Sequence, residues 1–195
     1  MRTATIHRKT SETDIRIVLN VDGTGEARID SPLGFLNHML ETFARHGHFD
    51  IEAAIRGDLH VDQHHTVEDT GIVLGEAFRE ALGDKKGIER AGFFLYPMDE
   101  ALARAALDLS GRPALVWDVA FTHDTVGGLA LELFEDFFLG LVNSLAMNLH
   151  VKVEYGRSDH HKIEAVYKAV ARAMRAACSI DPRRPDAIPS TKGVL

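Results

Sequence analysis

The chain has 195 residues, of which 45% are hydrophobic and 26% are charged, as is typical of a globular protein with one core or two fused half-domains. Its formal net charge of −7 argues against nucleic acid or an anionic membrane as the main partner, because both attract clustered cations. Cys178 is the only cysteine and no run of 18 apolar residues occurs, so we expect a cytoplasmic protein without a disulfide, a targeting segment or a membrane span.

The first half of the chain is predicted to alternate strands with helices. Alternating apolar and polar residues predict strands over 3–8, 15–21, 26–30 and 49–56. A turn at 22–25 leads into the third of them. Ser31 and Pro32 are typical of a helix start, so we predict that Ser31 caps a helix that ends near His46. A second helix is predicted over 64–82, where apolar residues recur at three- and four-residue steps.

A polar connector at 83–87, bounded by glycines, leads into a second half in which the same order recurs. Strands are predicted over 91–96, 101–109, 114–121 and 149–155, and helices over 129–146 and 160–177. We therefore predict an α+β fold of two duplicated half-domains, residues 1–86 and 87–180, followed by a C-terminal tail at 181–195. Each half is expected to be a four-stranded, mostly antiparallel sheet packed on two helices.

Two copies of one histidine motif stand out in the sequence. His64-His65-Thr66-Val67-Glu68 is followed 96 residues later by His160-His161-Lys162-Ile163-Glu164, and each copy begins a predicted helix. Residues four apart share one face of a helix, so the first histidine and the glutamate of each copy can bind the same ion. The second histidine points about 100° further round the helix and is free to reach another ion. The motif therefore predicts two metal sites with crossed ligation, in which the second histidine of each copy joins the pair from the other copy.

The helix that precedes each motif offers one further ligand. His38 lies among apolar residues of the first helix, where an unpaired imidazole would be costly to bury. Asp136 follows it by 98 residues and also lies among apolar residues. We predict one site with the ligands His38, His65, His160 and Glu164, and another with the ligands His64, Glu68, Asp136 and His161.

Simpler structural roles for these residues stay open. A single histidine pair at a helix start is more often a solvated first turn, His38 could be a core histidine with a hydrogen-bond partner, and Asp136 could simply be exposed. Two other functions use similar residues: a dinuclear metallohydrolase acting on a small phosphorylated substrate, and a ferritin-like metal-storage protein. Among the other histidines of the chain, none of the following has a place in the repeat, and we expect structural or surface roles for them: His46, His48, His60, His123 and His150.

Four segments of the chain are recognisable: residues 34–40 (GFLNHML), 62–71 (DQHHTVEDTG), 160–165 (HHKIEA) and 189–193 (PSTKG). They resemble the imidazoleglycerol-phosphate dehydratase family, the dehydratases of histidine biosynthesis. The resemblance extends from about Arg2 to Leu195, and the doubled histidine motif together with the tail makes it specific. It implies a hydro-lyase that converts D-erythro-imidazole glycerol phosphate to imidazole acetol phosphate.

The resemblance also implies a cofactor and an assembly. The cofactor would be two Mn²⁺ ions per active site, or other divalent transition metals, at the interfaces between subunits. The assembly would be a homo-oligomer of 24 subunits built from trimers. The imidazole ring of the substrate would bridge the two metals, whose Lewis acidity would stabilise negative charge on the ring.

Carried over position by position, the resemblance supports the eight ligands and assigns further residues. Glu12 would contact the reacting carbons, and the expected catalytic residues are Glu12, Glu68 and Glu164. The expected substrate-binding residues, mostly for the phosphate, are Glu12, Arg90, Arg112, Lys168, Ser190, Thr191 and Lys192. Residues 181–195 would accordingly be a substrate-binding tail.

Two positions depart from the pattern of the family. Asp136 stands where some members have histidine, which makes that site harder and more anionic. Asn37 stands where aspartate is common before the histidine, which changes the group expected to orient His38.

Overall fold

The computed structural model describes residues 1–193; Val194 and Leu195, the end of the predicted substrate-binding tail, lie outside the described residues. The first half contains β1 (Thr3–Lys9), β2 (Thr13–Asn20), β3 (Ala27–Asp30), α1 (Gly34–Gly47), β4 (Asp50–Gly57) and α2 (His64–Leu82). The second half contains β5 (Ala91–Met98), β6 (Ala101–Asp108), β7 (Ala114–Asp118), β8 (Thr125–Val126), β9 (Leu129–Ala130), α3 (Leu133–Leu145), β10 (Asn148–Tyr155) and α4 (Asp159–Cys178). None of these helices is long and apolar enough to cross a lipid bilayer.

Both halves share one sheet topology. The strands of the first sheet are ordered β1-β2-β4-β3, and those of the second are ordered β5-β6-β10-β7. In each sheet the first three strands pair antiparallel and the last strand pairs parallel. The predicted α+β class, with two duplicated halves of mostly antiparallel sheet and two helices each, is confirmed. The two sheets exclude the ferritin-like bundle, while the division at residues 86 and 180 stays a prediction.

The third strand of each half, β3 or β7, takes an edge position in its four-stranded sheet. The predicted turn at 22–25 does not make a hairpin of β2 and β3; instead β3 lies beyond β4 and runs parallel to it. Parallel neighbours need a crossover connection, which α1 provides. Asp50 holds the incoming segment, because its Oδ1 accepts hydrogen bonds from the backbone N–H groups of Thr24, Gly25 and Glu26.

The start of α1 differs from the prediction. Ser31 does not cap the helix, which begins at Gly34 with Leu33 in the N-cap position. The Ser31 hydroxyl instead donates to Asn37 Oδ1 at 2.5 Å and accepts the backbone N–H of Leu33 at 3.1 Å. Ser31 thereby orders the turn that enters the helix, which begins three residues later.

The segment before α3 forms a short hairpin where a helix was predicted. β8 pairs antiparallel with β9, and α3 begins only at Leu133. Gly127 and Gly128 have φ angles of 59° and 77°, which residues with a side chain rarely adopt. The Gln63 side chain then donates to Gly128 O at 2.8 Å and accepts the Ala130 N–H at 3.1 Å. The first of these bonds occupies the Gly128 carbonyl, which would be the first acceptor of a helix that started at Leu129.

Each motif-bearing helix packs on its own sheet and on the first helix of the other half. α2 contacts β1, β2 and α3, while α4 contacts β5, β6 and α1. Glycines let α2 and α3 approach closely: a Cβ at Gly71 would lie 2.1 Å from Phe137 O, and one at Gly140 would lie 2.9 Å from Glu68 O. This exchange of partners between the halves places ligands from two different helices side by side.

Candidate active site

One group of candidate ligands lies where α1 packs on α4, and we call it the first cluster. His38 comes from α1, His160 and Glu164 come from the start of α4, and one ligand atom of each lies within 4.8 Å of the others. Glu164 Oε2 is 3.1 Å from His160 Nε2 and 3.5 Å from His38 Nε2. Two imidazoles around one carboxylate suit a divalent transition metal. The structure thus brings together three of the four ligands predicted for one site.

Aromatic packing shapes the first cluster. The ring centroid of Phe35 lies 5.1 Å from that of His160 and 6.2 Å from that of His38. Phe35 is itself buried, so it forms a fixed wall against both imidazoles. Asn37, the neighbour of His38, hydrogen-bonds Ser31 through its Nδ2 and Oδ1 atoms. The orientation of His38 therefore follows from packing on Phe35 and from Glu164.

Lys168 holds Glu164 from the side away from the histidines. Its Nζ lies 2.8 Å from Glu164 Oε1, which leaves Oε2 to the two imidazoles. Burial alone would raise the pKa of Glu164, but Lys168 and His38 hold this pKa below its usual value. The carboxylate is therefore charged at neutral pH, which is the form that binds a metal. Lys168 Nζ also lies 3.1 Å from Met98 Sδ, and its predicted role in phosphate binding stays a prediction.

The second cluster occupies the equivalent place, where α2 packs on α3. His64 Nε2 is 3.6 Å from Glu68 Oε2, and His64 Nδ1 is 3.6 Å from Asp136 Oδ2. The Glu68 side chain is 40% exposed, whereas that of Glu164 is 10% exposed. The second cluster is thus more open than the first, and it has two carboxylates around one imidazole. Three of the four ligands predicted for the other site come together here.

The second histidine of each motif contacts its own half of the chain. His65 Nδ1 lies 3.1 Å from Asp58 Oδ2, and His161 Nδ1 lies 2.7 Å from Glu100 Oε2. Within residues 1–193, the carboxylates that contact these two rings belong to the loops of their own half. A single chain therefore does not form the crossed ligation, which stays a prediction that needs a neighbouring chain.

Glu12 lies beside His65 on the loop that joins β1 and β2. Its Oε1 is 3.8 Å from His65 Nε2, and half of its side chain is exposed. The adjacent Thr13 donates a hydrogen bond of 2.5 Å to the buried carboxylate of Asp69 on α2, which fixes the loop against the motif-bearing helix. The hydrogen bond to Asp58 raises the pKa of His65. A free carboxylate beside a candidate ligand is well placed to exchange protons with a bound molecule.

Comparison with known proteins decides the family. The sequence profile of the imidazoleglycerol-phosphate dehydratase family matches residues 31–174. The imidazoleglycerol-phosphate dehydratase of Gluconacetobacter diazotrophicus is 57% identical over 194 residues, which cover 100% of this chain and 98% of that protein. The chain belongs to the imidazoleglycerol-phosphate dehydratase family. The protein of the same name from Koribacter versatilis is 55% identical over 195 residues and is covered completely, as is this chain.

Solved structures of imidazoleglycerol-phosphate dehydratases share the fold. The enzyme from Staphylococcus aureus has a TM-score of 0.83 and 35% sequence identity, over 92% of this chain and 99% of that one. The enzyme from Pyrococcus furiosus has a TM-score of 0.83 and 34% identity, over 97% of this chain and 100% of that one. The resemblance stated from the sequence motifs is confirmed, and with it the assignment to the hydro-lyases of histidine biosynthesis.

Arg90 anchors the C-terminal tail. It is one of the residues predicted to bind the phosphate of the substrate. Its Nε and Nη2 donate to the Asp108 carboxylate at 2.6 and 2.9 Å, and its Nη1 donates to Pro189 O at 2.8 Å. This hydrogen bond fixes the backbone of the tail directly before Ser190. The guanidinium brings the predicted tail residues toward the second half of the chain, and phosphate binding by Arg90 stays a prediction.

The remaining predicted phosphate ligands lie at the surface. Arg112 is exposed in the turn between β6 and β7. In the tail, Ser190 is partly exposed, Thr191 and Lys192 are exposed, and the Lys192 backbone N–H donates to Ser190 Oγ at 3.2 Å. None of the hydrogen bonds found among residues 1–193 joins these four residues to either cluster, so their roles stay predictions.

Sequence reasoning missed the two carboxylates that contact the second histidines. Asp58 lies in the loop before α2, six residues ahead of His64, and an acidic residue at that place is a weak signal. Glu100 lies in the loop between β5 and β6, far from the second motif in sequence. The one feature that could have identified Glu100 is its position before β6, which corresponds to the position of Glu12 before β2.

Proposed function

We propose that the chain catalyses the metal-dependent dehydration of D-erythro-imidazole glycerol phosphate to imidazole acetol phosphate. The observation that carries this proposal is the first cluster, in which α1 and α4 bring two imidazoles and one carboxylate together in a member of this family. The side chains of His38 and His160 are 45% and 43% exposed, so the donor set is open to an ion and a substrate. An ionised glutamate beside solvent-accessible imidazole nitrogens is typical of a metal site. It is less typical of a buried core in which every polar side chain has a hydrogen-bond partner.

We propose two Mn²⁺ ions per active site, or other divalent transition metals. One ion would be held by His38, His65, His160 and Glu164, and the other by His64, Glu68, Asp136 and His161. Imidazole suits transition metals and carboxylate suits Mn²⁺, so the mixed donor sets fit the proposed cofactor. When bound, the ions would supply Lewis acidity that stabilises negative charge on the imidazole ring of the substrate.

Glu12 is the group that we propose for moving protons. Dehydration removes a carbon-bound proton beside the ring and expels a hydroxyl group, which takes up a proton and leaves as water; the resulting enol then becomes the ketone. Glu12 can take the first proton because its carboxylate is half exposed beside His65 and is held there by the loop at Thr13. Glu68 and Glu164, the other two proposed catalytic residues, would contact the ions.

The phosphate of the substrate would be held by cations and by the tail. The proposed residues are Arg90, Arg112, Lys168, Ser190, Thr191 and Lys192, and charged or forked donors suit a phosphate dianion. Arg90 already fixes Pro189, so it can place the tail even where it does not touch the phosphate itself. The proposed partner is thus a small phosphorylated molecule, and neither a nucleic acid nor a membrane.

We also propose a homo-oligomer of 24 subunits built from trimers. One support is the outer face of the second sheet, where Phe93, Leu95 and Val116 are 81%, 54% and 48% exposed. These residues border a groove of about 550 Å³, and an exposed apolar patch commonly marks an interaction surface. The other support is that each ligand set lacks one histidine within a single chain. The single buried cysteine suits the proposed cytoplasmic location.

The proposed function is tested by metal analysis coupled to turnover. The native protein is expected to hold two tightly bound ions per chain and to convert imidazole glycerol phosphate to a ketone that retains its phosphate. Chelation should abolish turnover, and added Mn²⁺ should restore it. Full turnover by stripped protein would contradict the metal dependence. Release of inorganic phosphate would indicate the metallohydrolase chemistry instead.

A further inference from the structure

The duplication places Glu100 at the position that Glu12 has in the first half. Thr13 and Ala101 begin the equivalent strands β2 and β6, and 88 residues separate them. The same interval separates Glu12 from Glu100, and each residue lies in the loop that precedes its strand. Each also lies beside the second histidine of its half. One ancestral loop position therefore carries a glutamate in both halves.

The contacts of the two glutamates nevertheless differ. Glu12 approaches His65 at Nε2, at 3.8 Å, and half of its side chain is exposed. Glu100 instead contacts Nδ1 of His161, at 2.7 Å, on the opposite side of the ring. Its other oxygen accepts the backbone N–H groups of Ser158 at 2.7 Å and Arg157 at 3.2 Å.

The hydrogen bonds of Glu100 fix the state of the imidazole. Both oxygens of the ionised Glu100 act as acceptors, so Nδ1 of His161 must be the donor. In a neutral imidazole the other nitrogen then carries the lone pair, and Nε2 is the atom available to a metal. Ser158 also caps α4 by accepting the His161 N–H at 3.3 Å. Glu100 therefore ties the ring to the start of the helix that carries it.

We propose that Glu100 is a positioning residue that holds His161 in its Nδ1–H form and presents Nε2 as a metal ligand. This inference rests on the proposed function, in which His161 completes the second cluster of a neighbouring chain. Asp58 performs the same task for His65, with Oδ1 and Oδ2 at 3.2 and 3.1 Å from Nδ1. Because Asp58 orients His65, Glu12 stays free for proton transfer. The duplicated loop therefore has a different role in each half: its glutamate transfers protons in the first half and positions a histidine in the second.

Glu100→Gln is a sharp test because an amide has one acceptor oxygen. If that oxygen keeps the backbone N–H groups of Arg157 and Ser158, the amide NH₂ faces Nδ1 and can only donate to it. The proton of His161 must then move to Nε2, where it blocks metal ligation. The matched control is Glu80→Gln, which removes one negative charge from an exposed position on α2, 12 residues and about 18 Å along the helix from Glu68.

The first measurement is independent of the metal. Nitrogen-15 solid-state NMR of the metal-free full-length protein at pH 8, labelled at the histidine rings, reports which nitrogen is protonated. The His161 signals are assigned by their loss in His161→Gln. We expect the Nδ1–H form in the unmodified chain and in Glu80→Gln, and the Nε2–H form in Glu100→Gln. Any other state of His161 in the unmodified chain overturns the proposal, even if Glu100→Gln fails to fold.

The second measurement counts Mn²⁺ by titration followed with electron paramagnetic resonance. In Glu100→Gln, we expect about a 10- to 100-fold rise in the dissociation constant of one ion per chain and no change for the other. Glu80→Gln should bind both ions like the unmodified chain. Unchanged binding in Glu100→Gln would overturn the role of Glu100 while leaving the proposed function intact. An unmodified chain that binds no Mn²⁺ would overturn the proposed function and this inference together.

Discussion

Lys168 Nζ and Glu164 Oε1 are 2.8 Å apart, one helical turn along α4, and both side chains are almost fully buried. The equivalent position in α2, 96 residues earlier, is Ile72, which has no charge to offer Glu68. The two clusters are therefore unequal despite the duplication: Glu164 is fixed and paired, whereas Glu68 is exposed and shares its histidine with Asp136. We expect the two proposed metal sites to differ in affinity and selectivity.

Lys168→Met should weaken metal binding at the first cluster. Glu164 would lose the partner that fixes its Oε1 and directs Oε2 toward the histidines, so the cluster would be less ordered before an ion binds. We expect about a 10-fold rise in the Mn²⁺ dissociation constant of one site, measured by titration with electron paramagnetic resonance. Lys86→Met removes an exposed lysine of the connector and serves as the control. Equal effects of the two variants would count against a specific role of Lys168.

Asp136→His should change the metal preference of the second cluster. An imidazole in place of a carboxylate makes the donor set softer and removes one negative charge, which favours Zn²⁺ over Mn²⁺. Competition dialysis with both ions should show a larger share of Zn²⁺ than in the unmodified chain. Glu135→His introduces the same side chain at the neighbouring exposed position and should leave the ratio unchanged. An unchanged ratio in Asp136→His would remove Asp136 from the ligand set.

The elements were predictable where the sequence pattern is local. α2 runs from His64 to Leu82 as predicted, because its apolar residues recur at helical steps from the motif onward. The parallel pairing of β3 with β4 was not predictable, since a short turn before β3 is equally compatible with a hairpin. The parallel pairing depends on the crossover through α1 and on the hydrogen bonds from the backbone of residues 24–26 to Asp50. Both are tertiary features.

Gly71→Ala should destabilise the fold and separate the ligands of the second cluster. A Cβ at Gly71 would lie 2.1 Å from Phe137 O, so α2 and α3 would have to move apart between Glu68 and Asp136. We expect a loss of about 1–3 kcal/mol in the free energy of unfolding, measured by chemical denaturation. Gly34→Ala is the control, because a Cβ there meets no atom within 4 Å. A Gly71→Ala variant as stable as Gly34→Ala would contradict the close helix contact.

Thr13→Val should slow turnover by loosening the loop of Glu12. Valine keeps the shape of threonine but cannot donate to Asp69, whose buried carboxylate would lose a hydrogen bond of 2.5 Å. We expect kcat to fall by about 10- to 100-fold with little change in KM, because the proton-transfer group is misplaced while the rest of the site is kept. Thr24→Val, at an exposed position, should leave kcat unchanged. A larger effect on KM than on kcat would argue that the loop binds substrate instead.

The candidate site was predictable to the extent that it is repeated. Spacing on one helix identified His64 with Glu68 and His160 with Glu164, and the repeat identified Asp136 as the counterpart of His38. The groups that orient these ligands do not recur at a fixed interval in the sequence. Lys168 pairs with Glu164 in one half only. The carboxylates that contact the second histidines come from loops at different places in the two halves. Such contacts depend on tertiary packing, which a sequence pattern does not encode.

The crossed ligation is tested most directly by complementation between two inactive variants. His65→Ala and His160→Ala chains each lack one ligand of the proposed site formed by His38, His65, His160 and Glu164, but a site that takes His160 from one chain and His65 from another would be complete. The two variants are co-expressed with different tags, and oligomers that carry both tags are purified. We predict that these mixed oligomers regain both turnover and tight Mn²⁺ binding relative to either parent. Mixed oligomers that bind no more Mn²⁺ than the parents and stay inactive would contradict active sites shared between chains.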